Sequence, residues 1–202
     1  TSIMRILISG STKLAGAIID AFNVEILFEK TYVDSCRVHE VPEKLGDYDV
    51  FINNAHVDFW QTELLHEAYK QWKDDEDKLI INMSSRAGKN NISRGYLYSA
   101  QKASLIQLAE NLNYNSDKVC GICTIHLGLL ETPKFEQLPP LLEAVSYGDV
   151  CQLLEDIMFN FKTNRTFPTE ITFEHRANYK EIQRQKKRMG LTQLFNKINW
   201  EH

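Results

Sequence analysis

Short apolar runs that alternate with segments of helical periodicity constrain the fold of this chain most strongly. The first run, residues 3–9, ends at a glycine turn, and residues 17–22 continue as an apolar helix. Predominantly apolar runs of this length are typical of parallel strands that are buried on both faces. Strands that alternate with helices predict an α/β fold, in which helices cover both faces of a doubly wound, mostly parallel sheet.

The same pattern predicts about seven strands along the chain. In chain order they cover residues 3–9, 24–28, 32–34, 49–54, 78–84, 119–127 and 167–174. The predicted helices cover residues 17–22, 62–72, 98–115 and 149–161. The interval between the second and third strands is too short for the crossover helix that joins most parallel pairs, so we expect that helix to be missing.

Composition narrows the class of protein. The 202 residues are enough for one domain with a sizeable core, and the net charge of −4 indicates no general affinity for nucleic acid. No apolar run is long enough to span a bilayer, and we expect no signal peptide because the first apolar run is short and ends in a glycine turn. The cysteines favour a reducing cytoplasm over a disulfide framework; they are Cys36, Cys120, Cys123 and Cys151.

Cys120 and Cys123 form a Cys-x-x-Cys pattern inside a predicted strand. Residues three apart in a strand point to opposite faces, and the chain has no second such pair to complete a zinc site. We therefore interpret both as buried strand cysteines and predict no metal.

Tyr98 and Lys102 lie four residues apart at the start of a helical segment, so a helix places both on one face. An ammonium group near a phenol lowers the pKa of the phenol, because it stabilises the phenolate. Ser85, near the end of the preceding strand, brings a hydroxyl that can hydrogen-bond the same substrate oxygen. The three residues predict a proton-donating site suited to a carbonyl that is being reduced.

The spacing of these residues resembles the catalytic signature of the short-chain dehydrogenase/reductase family. Ser85 precedes Tyr98 by thirteen residues, and the pattern Tyr98-x-x-x-Lys102 follows in the family's order. The resemblance covers about residues 3–175 and implies a Rossmann-like sheet with the cofactor at the carboxyl ends of its strands. It also implies that Tyr98 is the acid/base, that Lys102 lowers its pKa and holds ribose hydroxyls, and that Ser85 orients the substrate oxygen.

The turn after the first strand resembles the family's Gly-x-x-x-Gly-x-Gly loop. The N–H groups of such a turn and the helix N-terminus after it form a cradle for phosphate. Leu14 stands where the family has its second glycine, and a side chain there could crowd a pyrophosphate. The loop residues expected to bind the cofactor are Gly10, Ser11, Thr12, Lys13, Leu14 and Gly16.

Charged residues bear on the choice between NAD and NADP. Glu29 follows the second predicted strand, where an acidic residue typically holds the ribose hydroxyls and favours NAD. Lys13 occupies a loop position at which a basic residue of the family often contacts the phosphate of NADP, and Lys30 directly follows Glu29. Asp34 is a further candidate near the adenine, or else a strand-end cap. We favour NADP(H) slightly over NAD(H).

The fourth predicted strand ends in residues that resemble the family's Asn-Asn-Ala-Gly motif, which stabilises the sheet and lies beside the cofactor. The matching residues are Asn53, Asn54 and Ala55. His56 replaces the glycine, and it is either a ligand contact or a structural or solvated side chain. The family's helix asparagine, which supports a proton-relay water, has no counterpart by position, and Asp58 and Gln61 are the nearby polar residues.

The segment after the sixth predicted strand resembles the family's Pro-Gly-x-x-x-Thr pattern, with Leu127 in place of the proline. Thr132 then corresponds to the residue that hydrogen-bonds the nicotinamide carboxamide, although Thr-Pro is also an ordinary helix-start signal. Residues 135–147 replace the family's substrate-covering loop, and their sequence does not identify a substrate.

Two segments make up the predicted domain organisation: one dinucleotide-binding domain over residues 1–175 and a basic extension over residues 176–202. The extension holds seven Lys/Arg and two Asp/Glu, so it carries +5 and leaves −9 on the rest of the chain. We expect it to pack on the acidic body or at a subunit interface. The predicted helices 62–72 and 98–115 carry apolar residues beyond one stripe, which predicts a homodimer through these helices.

These observations predict an NAD(P)-dependent oxidoreductase that acts on a small carbonyl or alcohol. Two alternatives remain: a non-catalytic dinucleotide-binding protein and a structural subunit on the same scaffold. Leu14, His56 and the missing helix asparagine suggest the first alternative, and the second would keep only the scaffold and its helix interface.

Overall fold

The computed structural model describes residues 4–22, 28–33, 39–90, 95–131 and 143–178, with the backbone alone for residues 28–33 and 90. The strands are β1 (Met4–Ser9), β2 (Phe28–Val33), β3 (Val50–Asn53), β4 (Leu79–Ser85), β5 (Gly121–Leu127) and β6 (Glu170–Phe173). The helices are α1 (Lys13–Ala21), α2 (Val41–Lys44), α3 (Trp60–Trp72), α4 (Ala87–Asn90), α5 (Tyr96–Asn115) and α6 (Tyr147–Asn164), with a 3₁₀ turn at Leu45–Asp47.

The six strands form one parallel sheet in the order β2-β1-β3-β4-β5-β6. The chain winds outward from β1 to β2, then returns to the other side of β1 and continues in the opposite direction. The prediction of a doubly wound parallel sheet is therefore confirmed. Its topological switch point lies between β1 and β3, where folds of this kind bind ligands at the carboxyl edge.

Alternate residues of each strand face opposite sides of the sheet and build two cores. Helices α1 and α6 cover one side, where Ile6, Ile52 and Ile81 are fully buried. Helices α3 and α5 cover the other side, where Leu7 and Phe51 are fully buried. Burial on both faces explains why the strands are apolar runs without polar alternation.

The break predicted between the second and third strands is wrong, because residues 29–31 lie within the single strand Phe28–Val33. The rest of the strands predicted at residues 24–28 and 32–34, residues 24–27 and 34, lies outside the described residues. Glu29 pairs in register with Arg5 near the amino end of β1, whereas Val33 pairs with Ser9. Because Gly10 follows Ser9, Glu29 lies at the far end of the strand from the glycine loop, and this placement argues against its predicted ribose contact.

The cysteine prediction is confirmed for the residues that the structure describes. Cys120, Cys123 and Cys151 are buried free thiols. Cys120 belongs to the core under α3 and α5, and Cys123 to the core under α1 and α6, so they face opposite sides of the sheet. Burial raises the pKa of the Cys123 thiol to about 12, so it carries no thiolate at neutral pH. No group of side chains within the described ranges is arranged to hold a metal ion.

The apolar residues that predicted a homodimer are mostly buried within one chain. Leu64 and Leu65 of α3, and Leu105 and Ile106 of α5, pack in the monomer and are at most 6% exposed. The two helices contact each other on the same side of the sheet. These side chains therefore pack within one chain, which removes the main argument for a dimer. Within the described ranges no helix has the length and apolarity needed to cross a membrane.

Candidate active site

A cavity of about 450 Å³ opens at the carboxyl edge of the sheet, above the ends of β1, β3, β4 and β5. It is lined by Thr12, Lys13, Leu14, Asn54, His56, Met83, Ser84, Ser85, Tyr98, Lys102, Leu127, Gly128, Leu129, Leu130 and Tyr147. The charged side chains in this lining are lysines, so it is suited to a ligand that carries negative charge.

The glycine loop is held against the end of β3. Gly10 has φ +100°, and a Cβ there would lie 3.1 Å from the Cα of Ala55, so both its conformation and the close approach require glycine. The Ser9 hydroxyl accepts hydrogen bonds from the backbone N–H groups of Asn54 at 3.0 Å and Ala55 at 3.1 Å. The loop and the Asn-Asn-Ala motif therefore form one unit.

Helix α1 begins inside this loop, with Thr12 as its N-cap. The Thr12 hydroxyl accepts from the N–H of Ala15 at 3.2 Å and from the side-chain amide of Asn54 at 3.2 Å. Ser11, Thr12 and Lys13 are exposed at the start of the helix. A second cavity, of about 220 Å³, lies beside Gly10, Ser11 and Gly16. An exposed helix N-terminus beside open space suits a phosphate group.

Leu14 does not obstruct the loop. Its side chain is 6% exposed and packs in the core under α1 and α6, so it forms part of the cavity floor. A Cβ at Gly16 would meet no atom within 4 Å, which shows that the space above the helix start is open. The loop therefore fits a dinucleotide although it lacks the second glycine.

Lys102 is buried at the side of the cavity. It is 4% exposed, and its Nζ donates to Oε1 of Gln61 at 2.5 Å and to the carbonyl of Met83 at 3.3 Å. Burial lowers the Lys102 pKa to about 7, because both acceptors are neutral and the charged form loses its hydration. The same Nζ lies 5.7 Å from the centroid of the Tyr98 ring, so the predicted pairing of these side chains is present.

Gln61 is the functional residue that the sequence reasoning left undecided. It is 3% exposed, and its Nε2 donates to the carbonyls of Asn53 at 2.8 Å and Met83 at 3.1 Å. The Asn53 side chain donates in return to the Gln61 carbonyl at 2.8 Å and to Asn82 at 3.0 Å. This network aims the Gln61 oxygen at Lys102. The sequence feature that could have identified Gln61 is its place as a polar residue on the buried stripe of α3. This helix begins two residues earlier than predicted.

His56 lies at the rim of the cavity, exposed to solvent and against Tyr98. The two ring centroids are 4.9 Å apart with an interplanar angle of 73°, an edge-to-face contact. Desolvation of the side of the ring that faces the cavity, together with the charge of Lys102, lowers the His56 pKa to about 4, so the imidazole is neutral at neutral pH. His56 is therefore a cavity residue with a direct contact to Tyr98.

Ser85 ends β4 at the same rim. Its hydroxyl accepts from the N–H of Ala87 at 3.2 Å, which leaves the hydroxyl proton to be donated elsewhere. Ser84 is 3% exposed and also borders the cavity.

The structure brings most of the predicted site residues together. Thr12, Lys13, Leu14, Asn54, Ser85, Tyr98 and Lys102 line the main cavity, and Gly10, Ser11 and Gly16 line the adjoining one. Asn53 and Ala55 are buried directly behind them. Glu29 lies at the other end of the sheet, and Thr132 falls outside the described residues.

No model of a known protein family matches this sequence, and no curated protein matches it. Solved structures do. A short-chain dehydrogenase from Burkholderia cenocepacia in complex with NADP is 15% identical, with TM-score 0.63 over 97% of each chain. A short-chain dehydrogenase from Streptomyces avermitilis is 16% identical, with TM-score 0.63 over 98% of this chain and 97% of that chain. ElxO with NADP bound is 16% identical, with TM-score 0.65 over 85% of this chain and 96% of that chain. The cavity lies where this topology binds ligands, and the chain has the fold of the short-chain dehydrogenases/reductases.

Proposed function

We propose that this protein is an NAD(P)-dependent oxidoreductase that interconverts a small carbonyl compound and its alcohol. The observation that carries the proposal is the buried Lys102 beside Tyr98, in a cavity whose opposite wall is an exposed helix N-terminus. A buried lysine with a lowered pKa in a cleft is a strong indicator of a functional site. The cofactor, when bound, supplies or accepts the hydride.

The chain's own residues handle the proton. Tyr98 donates its phenolic proton to the substrate oxygen during reduction and removes it during oxidation. The Lys102 amine lies 5.7 Å from the centroid of the Tyr98 ring, beside the group that transfers the proton. Ser85 hydrogen-bonds the same substrate oxygen and fixes its direction. Gln61 holds the Lys102 amine in place from behind.

We propose that NADP(H) is preferred over NAD(H). Lys13 is exposed in the first turn of α1 at the cavity, where its ammonium can pair with an additional phosphate. Glu29, the residue that would favour NAD, lies at the amino end of the sheet. The matched Burkholderia and ElxO structures both contain NADP, which supports the same choice. The predicted carboxamide contact of Thr132 stays a prediction.

The proposal also covers the location of the protein, its partners and its oligomeric state. Buried free thiols at Cys120, Cys123 and Cys151 support a cytoplasmic location. The net charge of −4 supports a small-molecule substrate and no nucleic-acid partner. A homodimer stays a prediction with reduced support, and sedimentation at micromolar concentration would test it. A monomer of about 23 kDa would refute it.

Titration with NADPH and with NADH tests the function. Protein should enhance and shift NADPH fluorescence, and a panel of aldehydes and ketones should then be reduced with loss of absorbance from NADPH. Binding without turnover would favour the non-catalytic alternative, a dinucleotide-binding protein. Absence of binding to both dinucleotides would refute the proposal and leave a structural subunit.

A further inference from the structure

The segment that follows β6 holds two separate walls of the cavity. Glu174 accepts from Nη1 of Arg86 at 2.6 Å and from the side-chain amide of Asn178 at 3.1 Å. The Glu174 side chain is 8% exposed, that of Arg86 is 16% exposed, and Asn178 is fully buried. Charges buried to this extent depend on their partners, since removal of one leaves the other unpaired.

The first wall is the turn that carries Ser85. Arg86 is the next residue, and its backbone N–H donates to the carbonyl of Leu127 at 3.2 Å. The N–H of Ala87 donates to the Ser85 hydroxyl at 3.2 Å. The ion pair with Glu174 therefore fixes the side chain of Arg86. The backbone of Arg86, in turn, sets the position of the neighbouring Ser85.

The end of β5 lies against the same carboxylate. The N–H of Gly128 donates to the carbonyl of Phe173 at 2.8 Å. A Cβ at Gly128 would overlap the carboxyl group of Glu174, so a larger residue there would displace this carboxylate. Gly128 also lines the cavity.

The second wall is formed by residues 129–131 and 143–147, which pair with each other. Asn178 pairs with both backbone groups of Glu143, since its Oδ1 accepts from the Glu143 N–H at 2.6 Å and its Nδ2 donates to the Glu143 carbonyl. Nearby, Val145 donates to the carbonyl of Leu129 at 2.7 Å and accepts from Glu131 at 3.1 Å. Asn178 thus fixes Glu143 at the start of residues 143–147, and this wall lines the cavity with Leu129 and Tyr147.

We propose that Glu174 and Asn178 are positioning residues that hold Ser85 and the wall formed by residues 129–131 and 143–147 at a fixed separation. We name Arg86, Glu143, Glu174 and Asn178 the carboxyl-edge clamp. None of the four lines the cavity, so the clamp acts through the residues it holds. The inference rests on the proposed function for its catalytic consequence, whereas the structural consequence stands independently.

The clamp should affect the substrate side of the cavity more than the dinucleotide side. The glycine loop and Lys13 are held by Ser9, Thr12 and Asn54, which the clamp does not contact. A displacement of about 1 Å at a reacting group lowers a rate on the order of a hundredfold. Loosening the clamp should therefore lower kcat and leave the affinity for NADPH unchanged.

Arg86→Met and Glu174→Gln test this, with Lys78→Met as a matched control. The Lys78 side chain is 15% exposed and bonds to Asp49 at 3.2 Å and to the carbonyl of Tyr48 at 2.7 Å, at the amino edge of the sheet. All three variants should lower the thermal midpoint. Only Arg86→Met and Glu174→Gln should lower kcat with NADPH and the carbonyl panel, by about tenfold to a hundredfold, with the NADPH dissociation constant unchanged. Equal kcat in all three variants would overturn the proposal.

Amide hydrogen exchange supplies a readout that needs no activity. In Asn178→Ala and Glu174→Gln, exchange should accelerate in peptides that cover residues 84–88, 127–131 and 143–147, whereas Lys78→Met should not affect them. Acceleration confined to residues 174–178 would overturn the clamp. Failure of the wild-type protein to bind NADPH would refute the proposed function, and the exchange result would still decide the clamp.

Discussion

One cation at each edge of the sheet shows two different ways of holding a positive charge. At the carboxyl edge, Lys102 is buried and bonded to the neutral oxygens of Gln61 and Met83. At the amino edge, Arg165 is half exposed and pairs with Asp77 at 2.5 Å and Glu76 at 3.0 Å. A cation that has carboxylate partners keeps its proton, whereas a buried cation without them loses it more easily. The contrast shows that the surroundings of Lys102 keep an amine that titrates near neutral pH, whereas the partners of Arg165 keep it charged.

The largest difference between the edges should appear in turnover. Tyr98→Phe removes the transferable proton but keeps the ring that contacts His56 and Lys102. Carbonyl reduction should fall by about a hundredfold to ten-thousandfold, with the NADPH dissociation constant nearly unchanged. Steady-state kinetics and fluorescence titration check the two halves. A variant that keeps more than about a tenth of wild-type turnover would place the proton donor elsewhere.

A second buried group, in the carboxyl half of the sheet, should make the stability of the protein depend on acid pH. His126 is fully buried, and desolvation together with the charge of Lys89 lowers its pKa to about 4. As the pH falls below about 6.5, the unfolded chain takes up a proton that the folded protein refuses until about pH 4. As the pH falls from about 6.5 to about 4, His126 should therefore lower the free energy of unfolding by about 3 kcal/mol, whereas above about pH 6.5 it should have no such effect.

Urea unfolding at pH 7.5 and at pH 4.5 measures the loss. The control is His126→Asn, which should be less stable at both values but should lose less between them. An equal loss of unfolding free energy between the two pH values in both proteins would show that His126 is not the group responsible.

Lys13→Ala tests the dinucleotide side of the cavity. If Lys13 pairs with the additional phosphate of NADPH, the variant should lose about 1–3 kcal/mol of NADPH binding and little NADH binding. Isothermal titration with both dinucleotides provides the measurement. Equal weakening of the two would remove Lys13 from the phosphate site, and a strong preference of the wild type for NADH would contradict the assignment to NADP.

Gln61→Glu places a carboxylate beside Lys102, so that Lys102 resembles Arg165, which has carboxylate partners at the amino edge. A carboxylate at the same place should raise the Lys102 pKa and move the alkaline limit of activity to higher pH. Carbon-13 NMR of labelled lysine side chains reports the titration without any cofactor. Gln71→Glu on the same helix is the control, because Gln71 is exposed and bonds to the carbonyl of Pro42. Identical Lys102 titrations in both variants would exclude Gln61 as the residue that sets its charge.

The smallest effect should come from the amino edge itself. Arg165→Gln removes an exposed ion-pair network, and such pairs contribute little because water screens them. Thermal unfolding and NADPH binding should both match the wild type within error. A clear loss of binding would mean that the two edges are coupled.

Local patterns were enough to predict much of the site. Tyr98 and Lys102 could be paired from their spacing, since a helix brings residues four apart onto one face. Gly10 could be placed from the strand-to-helix turn, because few residues other than glycine adopt its φ of +100°. The boundaries of β2 could not be predicted, since Glu29 and Lys30 interrupt the apolar pattern that marks a buried strand.

The sequence by itself determined the alternation of strands and helices, the glycine turn and the Ser85, Tyr98 and Lys102 spacing, because these depend on residues close together in the chain. Only the tertiary structure decided which neutral oxygens surround Lys102 and where Glu29 lies relative to the loop. It also decided that Asn178 reaches Glu143, 35 residues away. Such contacts depend on strand order and register, and these follow from how whole layers pack rather than from any local periodicity.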